Sequence, residues 1–453
     1  MNLHTLLRDH ATSTRPVRAG LIGAGKFGSM FLAQARLTEG LDVVGVADLQ
    51  VTRGLDALAR TGWSSDIVVQ ACSIGALNDA ARGGKVGVTD SASDLIDADL
   101  DVVVECTGQP EAGTTHALRA IDNGRHVVMV TVEADVLVGP LIRERAERAG
   151  VVYGMAYGDQ PALICELVDW ARTCGFEVAA AGKGTKYLPE YHESTPDTVF
   201  GFYGFTDEQV RSGDFNAQMF NSFLDGTKSA IEMAAVANAT GLTPQPDGLQ
   251  FPPVGIDALA ESLKPRKDGG LLVHSGTVEV VSCLERDGSP VERDLRWGVY
   301  VTFRGATDYV RRCFHDYGVP TDSSGEYATL YRTSHFIGLE LGVSVAAAAL
   351  REEPTGTSRE LVGDVASCAK RDLVVGESLD GEGGYTVYGK LLPIRDSLEA
   401  GTLPIGLSGG AKVVKPVSCG ALLTYDDVVL PANSNVALLR RELEGSTRKR
   451  LGI

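Results

Sequence analysis

The stretch from Val17 to Phe31 constrains the fold more than any other part of this sequence. A short apolar strand leads directly into Gly23-x-Gly25-x-x-Gly28, and a helical pattern follows. In a dinucleotide-binding turn, the first glycine permits the tight turn and the second lets the backbone approach a pyrophosphate, while the third lets the helix pack on its strand. The predicted cofactor-binding residues of this turn are Gly23, Ala24, Gly25, Lys26, Phe27 and Gly28.

A second apolar strand, Leu41 to Ala47, is followed by Asp48. The carboxylate stands about twenty residues after the glycines, where an acidic residue usually meets the adenosine ribose. Asp48 favours the free hydroxyls of NAD, whereas Arg53 on the next segment would suit the extra phosphate of NADP. The sequence therefore predicts a nicotinamide dinucleotide and leaves the choice between NAD and NADP open.

Strands and helices go on alternating after this point, which predicts a doubly wound parallel sheet of the Rossmann type. The valine-rich strand Leu100 to Glu105 and the strand His126 to Val130 are the clearest examples. Ligands in such sheets bind outside the carboxyl ends of the strands. Residues 56–85 are long for one connection and predict a helix with a lid-like loop. Further predicted cofactor contacts at the strand ends are Cys106, Thr107, Gly108 and Thr131.

The pattern changes after Gly150, so we expect an α/β protein of several domains. Within the middle region, a long helix is predicted from Met219 to Gly241, and another from Glu326 to Leu350 that returns to the nucleotide domain. The predicted divisions are an N-terminal helical arm (1–16), a dinucleotide-binding domain (17–158), a central α+β substrate and oligomerisation domain (159–355) and a small β-rich domain (363–445).

Composition excludes several classes of partner. The net charge is −17, with 59 acidic and 42 basic residues, which argues against a nucleic acid partner. The longest apolar run, Leu341 to Leu350, is too short to cross a bilayer, and the start of the chain lacks the apolar core of a secretory signal. Eight cysteines without a CxxC pair predict reduced thiols and a cytoplasmic location.

Reduction of a carbonyl requires a proton donor and a positive or hydrogen-bonding neighbour for the developing alkoxide. Lys183 and Lys186 follow the strand Phe176 to Ala181, and the glycines around them predict a turn whose N–H groups could hold a phosphate. They are the first catalytic candidates. The competing interpretation is that they are solvated surface lysines.

Other charged residues form a second set of candidates. Asp225 and Lys228 lie three residues apart on the predicted helix, with Glu232 four residues beyond, so the three would share one face. They would form either a substrate-binding cluster or an exposed ion-pair network. Glu133, together with Asp135, lies at the carboxyl edge of the nucleotide sheet and would orient substrate, help to bind a divalent cation or cap a helix.

Among the histidines, His335 is the strongest candidate, because its segment is predicted to open a helix that returns to the cleft. It would act as an acid or an anion ligand, with Arg332 available to bind a carboxylate or phosphate. A structural histidine is the alternative. His192 and His274 have weaker cases.

Longer segments show a family resemblance. They are HVVMVTVEADVLVGP (126–140), VVYGMAYGDQPALICEL (151–167), AAAGKGTKY (179–187), FNSFLDGTKSAIEMAAVANATGL (220–242) and VASCAKRDLVVGESLDGEGGYTVYGKLLP (365–393). The chain resembles homoserine dehydrogenase-like oxidoreductases with a C-terminal SAF domain. It is most similar to the branch that contains the second type of 1-deoxy-D-xylulose 5-phosphate reductoisomerase.

The resemblance implies an NAD(P)-dependent reaction on a small polyhydroxylated acid or sugar phosphate, in some members coupled to rearrangement of the carbon skeleton. It also implies a homo-oligomer and allows for Mg²⁺ or Mn²⁺. One departure is clear, because homoserine dehydrogenases carry a threonine-alanine-asparagine-lysine run where this chain has Thr131-Val132-Glu133-Ala134-Asp135. Homoserine is therefore not the expected substrate. Two other functions stay open, namely a non-redox lyase or isomerase that retains its dinucleotide and a dinucleotide-sensing protein.

Overall fold

The computed structural model describes residues 2–212 and 215–453, so Met1 of the predicted arm lies outside the described residues. The chain divides into two compact units. Unit 1 comprises Met1–Leu163 and Phe336–Arg359, and unit 2 comprises Ile164–His335 and Glu360–Ile453. The predicted β-rich region 363–445 lies in unit 2.

The strands are β1 (Val17–Ile22), β2 (Leu41–Ala47), β3 (Val68–Gln70), β4 (Val86–Thr89), β5 (Val102–Glu105), β6 (His126–Met129), β7 (Tyr153–Met155), β8 (Glu177–Thr185), β9 (Thr277–Ser282), β10 (Val299–Arg304), β11 (Tyr327–Arg332), β12 (Gly363–Ala369), β13 (Val387–Pro393), β14 (Lys412–Val413) and β15 (Val428–Val429).

The α-helices are α1 (Leu3–Ser13), α2 (Lys26–Ala35), α3 (Val51–Arg60), α4 (Ile74–Arg82), α5 (Ala92–Asp97), α6 (Pro110–Asp122), α7 (Val132–Ala149), α8 (Gln160–Thr173), α9 (Val199–Tyr203), α10 (Asp207–Ser212), α11 (Ala217–Leu224), α12 (Thr227–Thr240), α13 (Leu259–Ser262), α14 (Asp308–Asp316), α15 (Gly342–Arg351), α16 (Ile394–Ala400) and α17 (Asn435–Leu451). In the described part of the chain, no helix is both long and apolar enough to cross a membrane.

The sheet of unit 1 has the order β3-β4-β2-β1-β5-β6-β7, and its strands pair in parallel. The strands extend from β1 in both directions, with β4 placed between β2 and the edge strand β3, which confirms the predicted doubly wound sheet. Its core includes Leu3 and Leu7 of the N-terminal helix and Val345 of α15. The apolar faces of two helices that are far apart in the chain therefore cover the same sheet.

Two predicted elements differ from the structure. Residues 56–85 contain the predicted helix, α4, but the lid-like loop is wrong, because β3 also lies in this stretch and pairs with β4 at the sheet edge. The predicted helix from Glu326 to Leu350 is also wrong, because Tyr327–Arg332 is strand β11 and helix begins only at Gly342. Two tyrosines and a threonine in β11 suit a strand, and Gly338 has a positive φ of 71° that interrupts a helix.

Unit 2 contains a mixed sheet of order β11-β10-β8-β9, in which β8 runs parallel to β9 and antiparallel to β10. The antiparallel pairs β12–β13 and β14–β15 are the small sheets of the C-terminal region. The predicted helix Met219–Gly241 is two helices, α11 and α12, because Gly226 adopts a left-handed φ of 87° between them. This break determines where Asp225 points.

Candidate active site

Glycine is needed at three positions of the N-terminal turn, for a different structural reason at each. Gly23 has a φ of 97°, and a Cβ there would lie 2.8 Å from the Cys106 carbonyl oxygen. A Cβ on Gly28 would lie 2.3 Å from the Gly23 carbonyl oxygen, so only glycine lets α2 pack this close. A Cβ on Gly25 would meet nothing within 4 Å. The space beside Gly25 is therefore open, as the approach of a pyrophosphate to the backbone requires.

Asp48 is held against this turn by its carboxylate. One oxygen accepts the backbone N–H of Ala24 at 2.9 Å, and the other accepts that of Gln50 at 3.0 Å. Arg53 is exposed in the first turn of α3, and Leu49 is 92% exposed. Lys26 is exposed and Phe27 half-buried at the start of α2. These residues fit a dinucleotide whose ribose lies beside Asp48, and Arg53 is accessible to a 2′-phosphate.

The buried carboxylate of Glu105 organises the ends of β5 and β6, and the sequence argument missed it. Glu105 accepts the Thr107 hydroxyl at 2.6 Å and the hydroxyl of Thr131, and it lies 3.3 Å from Nδ1 of His116. Gly108 donates its N–H to Thr131 Oγ1 at 3.0 Å. The predicted cofactor contacts Thr107, Gly108 and Thr131 are thus brought together. The signal was the single acidic residue that ends a valine strand.

Cys106 ties the same edge to the glycine turn. Its thiol donates to the carbonyl oxygen of Gly23 at 2.9 Å and lies 3.2 Å from that of Ile22. Burial, with smaller contributions from Glu105 and Asp48, raises the pKa of this thiol well above its usual range. Cys106 is therefore a neutral thiol that holds the turn in place.

Asp135 points into the interior of unit 1. Its two oxygens accept hydroxyls from Tyr153 at 2.9 Å and Ser358 at 2.6 Å, and burial raises its pKa to about 6. It lines a small cavity together with Met129 and Met155 at the ends of β6 and β7. The capping interpretation is wrong for Asp135, whose carboxylate is engaged by these two hydroxyls.

Glu133 is half-buried in the first turn of α7. Among residues 2–212 and 215–453, no three His, Cys, Asp or Glu side chains converge in a way that could hold a metal ion. The divalent cation stays a prediction that rests on the resemblance.

Lys183 does not lie in a turn. It is a residue of β8, its ammonium contacts the carboxylate of Glu232 on α12, and both side chains are almost fully buried. The flanking glycines serve sheet packing, because a Cβ on Gly182 would lie 1.8 Å from the Glu279 carbonyl oxygen and one on Gly184 1.9 Å from that of Leu295. The predicted phosphate-binding turn at Lys183 is therefore wrong, since strand pairing occupies this backbone.

Lys186 lies just beyond the end of β8 and is half-buried. Its ammonium donates to the carbonyl oxygen of Phe202 and stands 5.4 Å from the centre of the Tyr203 ring. Burial lowers its pKa, and the nearby positive charge of Arg296 lowers it further. Lys186 is therefore not the fully solvated lysine of the competing interpretation.

The predicted single face of Asp225, Lys228 and Glu232 is wrong, because Asp225 precedes the break and lies outside α12. Its carboxylate pairs with Lys370 at 2.7 Å and accepts the Thr227 N–H at 2.9 Å. Burial raises the pKa of Asp225, and Lys370 partly opposes this. Lys228 is half-buried on α12. Lys370 lies in the segment 365–393, which resembles the family, but its neighbours in the sequence do not indicate Asp225 as its partner.

His192 lies beside this pair. Its Nδ1 donates to the Asp225 carbonyl oxygen at 2.7 Å, which leaves Nε2, 3.0 Å from the Tyr187 hydroxyl, to accept. Burial lowers the pKa of His192, so the neutral ring is favoured. His335 instead lies between β11 and α15, where its Nδ1 donates to the Trp297 carbonyl oxygen at 2.7 Å. It does not open a helix, so the reason for ranking it above His192 is wrong.

Two family models match this chain in separate segments. Residues 19–154 match the family model described as homoserine dehydrogenase, NAD binding domain, and residues 158–341 match that described as oxidoreductase DRL, catalytic domain. A comparison with curated protein sequences found no match.

The solved structures that match this chain include three dehydrogenases. A probable dehydrogenase from Thermotoga maritima is 14% identical, with 75% of this chain and 90% of that chain covered and a TM-score of 0.38. The WlbA dehydrogenase from Bordetella pertussis, in complex with NADH and UDP-GlcNAcA, is 18% identical over 41% of this chain and 50% of that chain, with a TM-score of 0.28. Scyllo-inositol dehydrogenase from Lactobacillus casei, with bound NAD(H) and scyllo-inositol, is 11% identical over 64% of this chain and 74% of that chain, with a TM-score of 0.34.

This chain therefore spans about half the length of the WlbA dehydrogenase. The SAF-like assignment of residues 363–445, the homo-oligomer and the cytoplasmic location stay predictions. The two family matches, together with the dinucleotide turn of unit 1, support an NAD(P)-binding oxidoreductase in which residues 19–154 are similar to the NAD binding domain of homoserine dehydrogenase and residues 158–341 to the catalytic domain of oxidoreductase DRL.

Proposed function

We propose that this chain transfers hydride between NAD(P) and a carbinol or carbonyl carbon of a small polyhydroxylated acid or sugar phosphate. The reductoisomerase resemblance extends the proposal to substrates whose carbon skeleton rearranges in the same active site. The observation that carries the proposal is the buried Lys183–Glu232 ion pair, which lies inside the segment that matches an oxidoreductase catalytic domain.

The residues of unit 1 fit the cofactor. The open space at Gly25, the fixed carboxylate of Asp48 and the aligned Thr107 and Thr131 would hold its pyrophosphate, ribose and nicotinamide ends. When bound, the nicotinamide supplies or accepts the hydride. The protein must then provide a proton for the substrate oxygen and compensate the charge that develops on it.

Lysines of unit 2 are suited to both tasks. A buried ammonium is a strong electrostatic partner for an alkoxide, because little water screens it. Glu232 holds the Lys183 ammonium in place, so the donor is oriented before substrate arrives. In carbonyl reduction, carbon gains the hydride and oxygen gains the proton from the ammonium, which water then reprotonates.

The second lysine, Lys370, is fixed by Asp225, Ser194 and Gly384. Because all three donors of its ammonium are used in these contacts, we propose that Lys370 positions neighbouring segments and does not donate a proton. Glu133 and Lys228, as half-buried charged groups, stay proposed contacts for substrate hydroxyls, and His335 stays a proposed acid.

The experiment uses the purified full chain and the absorbance of reduced nicotinamide. Tetronates, pentonates and phosphorylated ketoses are tested with both cofactors in both redox states. We expect turnover with at least one substrate of these classes. Absence of turnover by either cofactor contradicts the redox function, and a dinucleotide that copurifies and is never consumed would instead support a lyase or isomerase.

A further inference from the structure

Two cations of unit 2 share one aromatic ring. The Lys186 ammonium stands 5.4 Å and the Arg296 guanidinium 5.9 Å from the centre of the Tyr203 ring. The same guanidinium stands 4.6 Å from the ring centre of Trp297, whose side chain is 59% exposed. Lys186, Arg296, Tyr203 and Trp297 thus form one group, the cation cluster.

Strand packing determines the position of this cluster. A Cβ on Gly184 would lie 2.8 Å from the Arg296 backbone nitrogen, so the backbone of Arg296 runs directly against the end of β8. Lys186 follows two residues after this glycine. The turn that carries Arg296 and the segment that carries Lys186 are therefore brought together at the end of β8.

The cation cluster lacks a carboxylate partner within the part of the chain that the structure describes. In the described residues, neither Lys186 nor Arg296 forms an ion pair, although the chain carries a net charge of −17. Asp294 accepts the backbone N–H of Arg296 at 2.7 Å and does not pair with its guanidinium. Burial lowers the pKa of Lys186, and the positive charge of Arg296 lowers it further, as expected for two cations near one ring.

Two cations near one ring repel each other, and an anion that binds to both would offset that cost. A guanidinium offers a planar pair of donors that matches an oxyanion, and the lysine adds a point charge. A phosphate carries close to two negative charges at neutral pH, which matches the two cations, whereas a carboxylate carries one.

We infer that Lys186 and Arg296 bind a phosphate group of the substrate. The assignment makes Lys186 an anion-binding residue and adds Arg296, which the sequence argument did not identify. That the phosphate belongs to a substrate rests on the proposed function. Binding of phosphate at the cation cluster can be tested without turnover.

The test titrates inorganic phosphate into the full-length protein at constant ionic strength and follows tryptophan fluorescence, with Trp297→Phe to show that the signal comes from this site. We expect saturable binding that Arg296→Gln and Lys186→Gln each weaken at least ten-fold. Arg293→Gln is the matched control, because Arg293 is exposed and paired with Asp257 at 2.8 Å. It should bind phosphate as the wild type does.

Unchanged phosphate affinity in Arg296→Gln overturns the inference. Acetate that binds as tightly as phosphate also overturns it, since the site would then recognise a carboxylate. Phosphate binding that depends on both cations, in a protein that turns over neither cofactor, would leave this inference in place and reject the redox function. The two failures are therefore distinguishable.

Discussion

The ammonium of Lys370 lies 2.7 Å from a carboxylate oxygen of Asp225, and neither side chain is more than 2% exposed. Lys370 follows β12, while Asp225 directly precedes the glycine that separates α11 from α12. The same ammonium donates to the carbonyl oxygens of Ser194 and Gly384 at 2.7 and 2.8 Å. One lysine thus fixes three segments of unit 2 around the start of α12.

Lys370→Met should lower the free energy of unfolding by about 3 to 5 kcal/mol, because it leaves a buried carboxylate without its counter-charge. Urea denaturation measures this, with the exposed Lys412→Met as a control that should cost less than about 0.5 kcal/mol. Loss of the lysine raises the already elevated pKa of Asp225 further. Protonation of a carboxyl with a raised folded-state pKa favours the native state, so the deficit should be smaller near about pH 5 than near about pH 8. A deficit that does not change with pH would contradict the pairing.

The fold of unit 1 could be predicted because its signals are local. Gly23, Gly25 and Gly28 stand next to their strand and helix, and each valine-rich strand is bounded by turn residues. The site of unit 2 could not be predicted in the same way. A glycine on either side of Lys183 indicates a turn by local rules, yet these glycines are required by backbone approaches from Glu279 and Leu295, which are distant in sequence.

The pairing of charges also depends on distant segments. Small residues from 219 to 241 suit a helix throughout, and only Gly226 hints at the break that turns Asp225 toward Lys370. Glu232 does face a lysine, but the partner is Lys183 on β8 rather than Lys228 on the same helix. The sequence therefore suggests candidate residues, whereas their partners depend on the tertiary structure.

Gly25→Val should abolish binding of the dinucleotide and leave stability nearly unchanged. A side chain at Gly25 meets no protein atom within 4 Å, and its φ of −73° is accessible to any residue. Gly28→Ala is the matched comparison, because its Cβ would lie 2.3 Å from the Gly23 carbonyl oxygen and should destabilise the fold. Calorimetric titration with NAD and NADP, together with thermal unfolding, measures both effects. Normal cofactor affinity in a folded Gly25→Val protein would exclude this turn as the binding site.

Asp48→Asn should shift cofactor preference toward NADP. The carboxylate of Asp48 would accept the ribose hydroxyls of NAD and repel a 2′-phosphate, and removal of its charge reduces both effects. We expect KM for NAD to rise about ten-fold relative to KM for NADP, on the usual scale of one charged hydrogen bond. Arg53→Gln should move the ratio in the opposite direction, because its exposed guanidinium suits the extra phosphate. Equal changes for both cofactors in Asp48→Asn would indicate a general disturbance of the turn, to which Asp48 is bound through Ala24.

Lys183→Met should reduce turnover by roughly a hundred-fold or more if its ammonium stabilises the alkoxide. Burial of the Glu232 carboxylate means that this variant also loses stability, so a matched control is needed. Lys264→Met provides it, because Lys264 is equally buried in unit 2 and pairs with Asp322 and Glu261 at 2.8 Å. Both variants should unfold at lower urea concentration. If their turnover numbers fall by the same factor in the folded state, Lys183 is structural.

Asp135→Asn should remove a pH dependence of stability that the wild type shows. Burial raises the pKa of Asp135 from 3.8 to about 6, so the native state binds its proton more tightly than the unfolded chain does. The stability from this proton is complete below about pH 4 and is lost as the pH rises through about 6, a change on the order of 3 kcal/mol. The asparagine variant keeps the volume beside Tyr153 and Ser358 and does not titrate. We measure the free energy of unfolding by urea denaturation at about pH 4.5 and about pH 7.5. At the higher pH the wild type should have lost stability relative to Asp135→Asn. The exposed Asp66→Asn variant is the control. If the difference in free energy of unfolding between the wild type and Asp135→Asn stays constant over this pH range, the Asp135 carboxylate is ionised throughout.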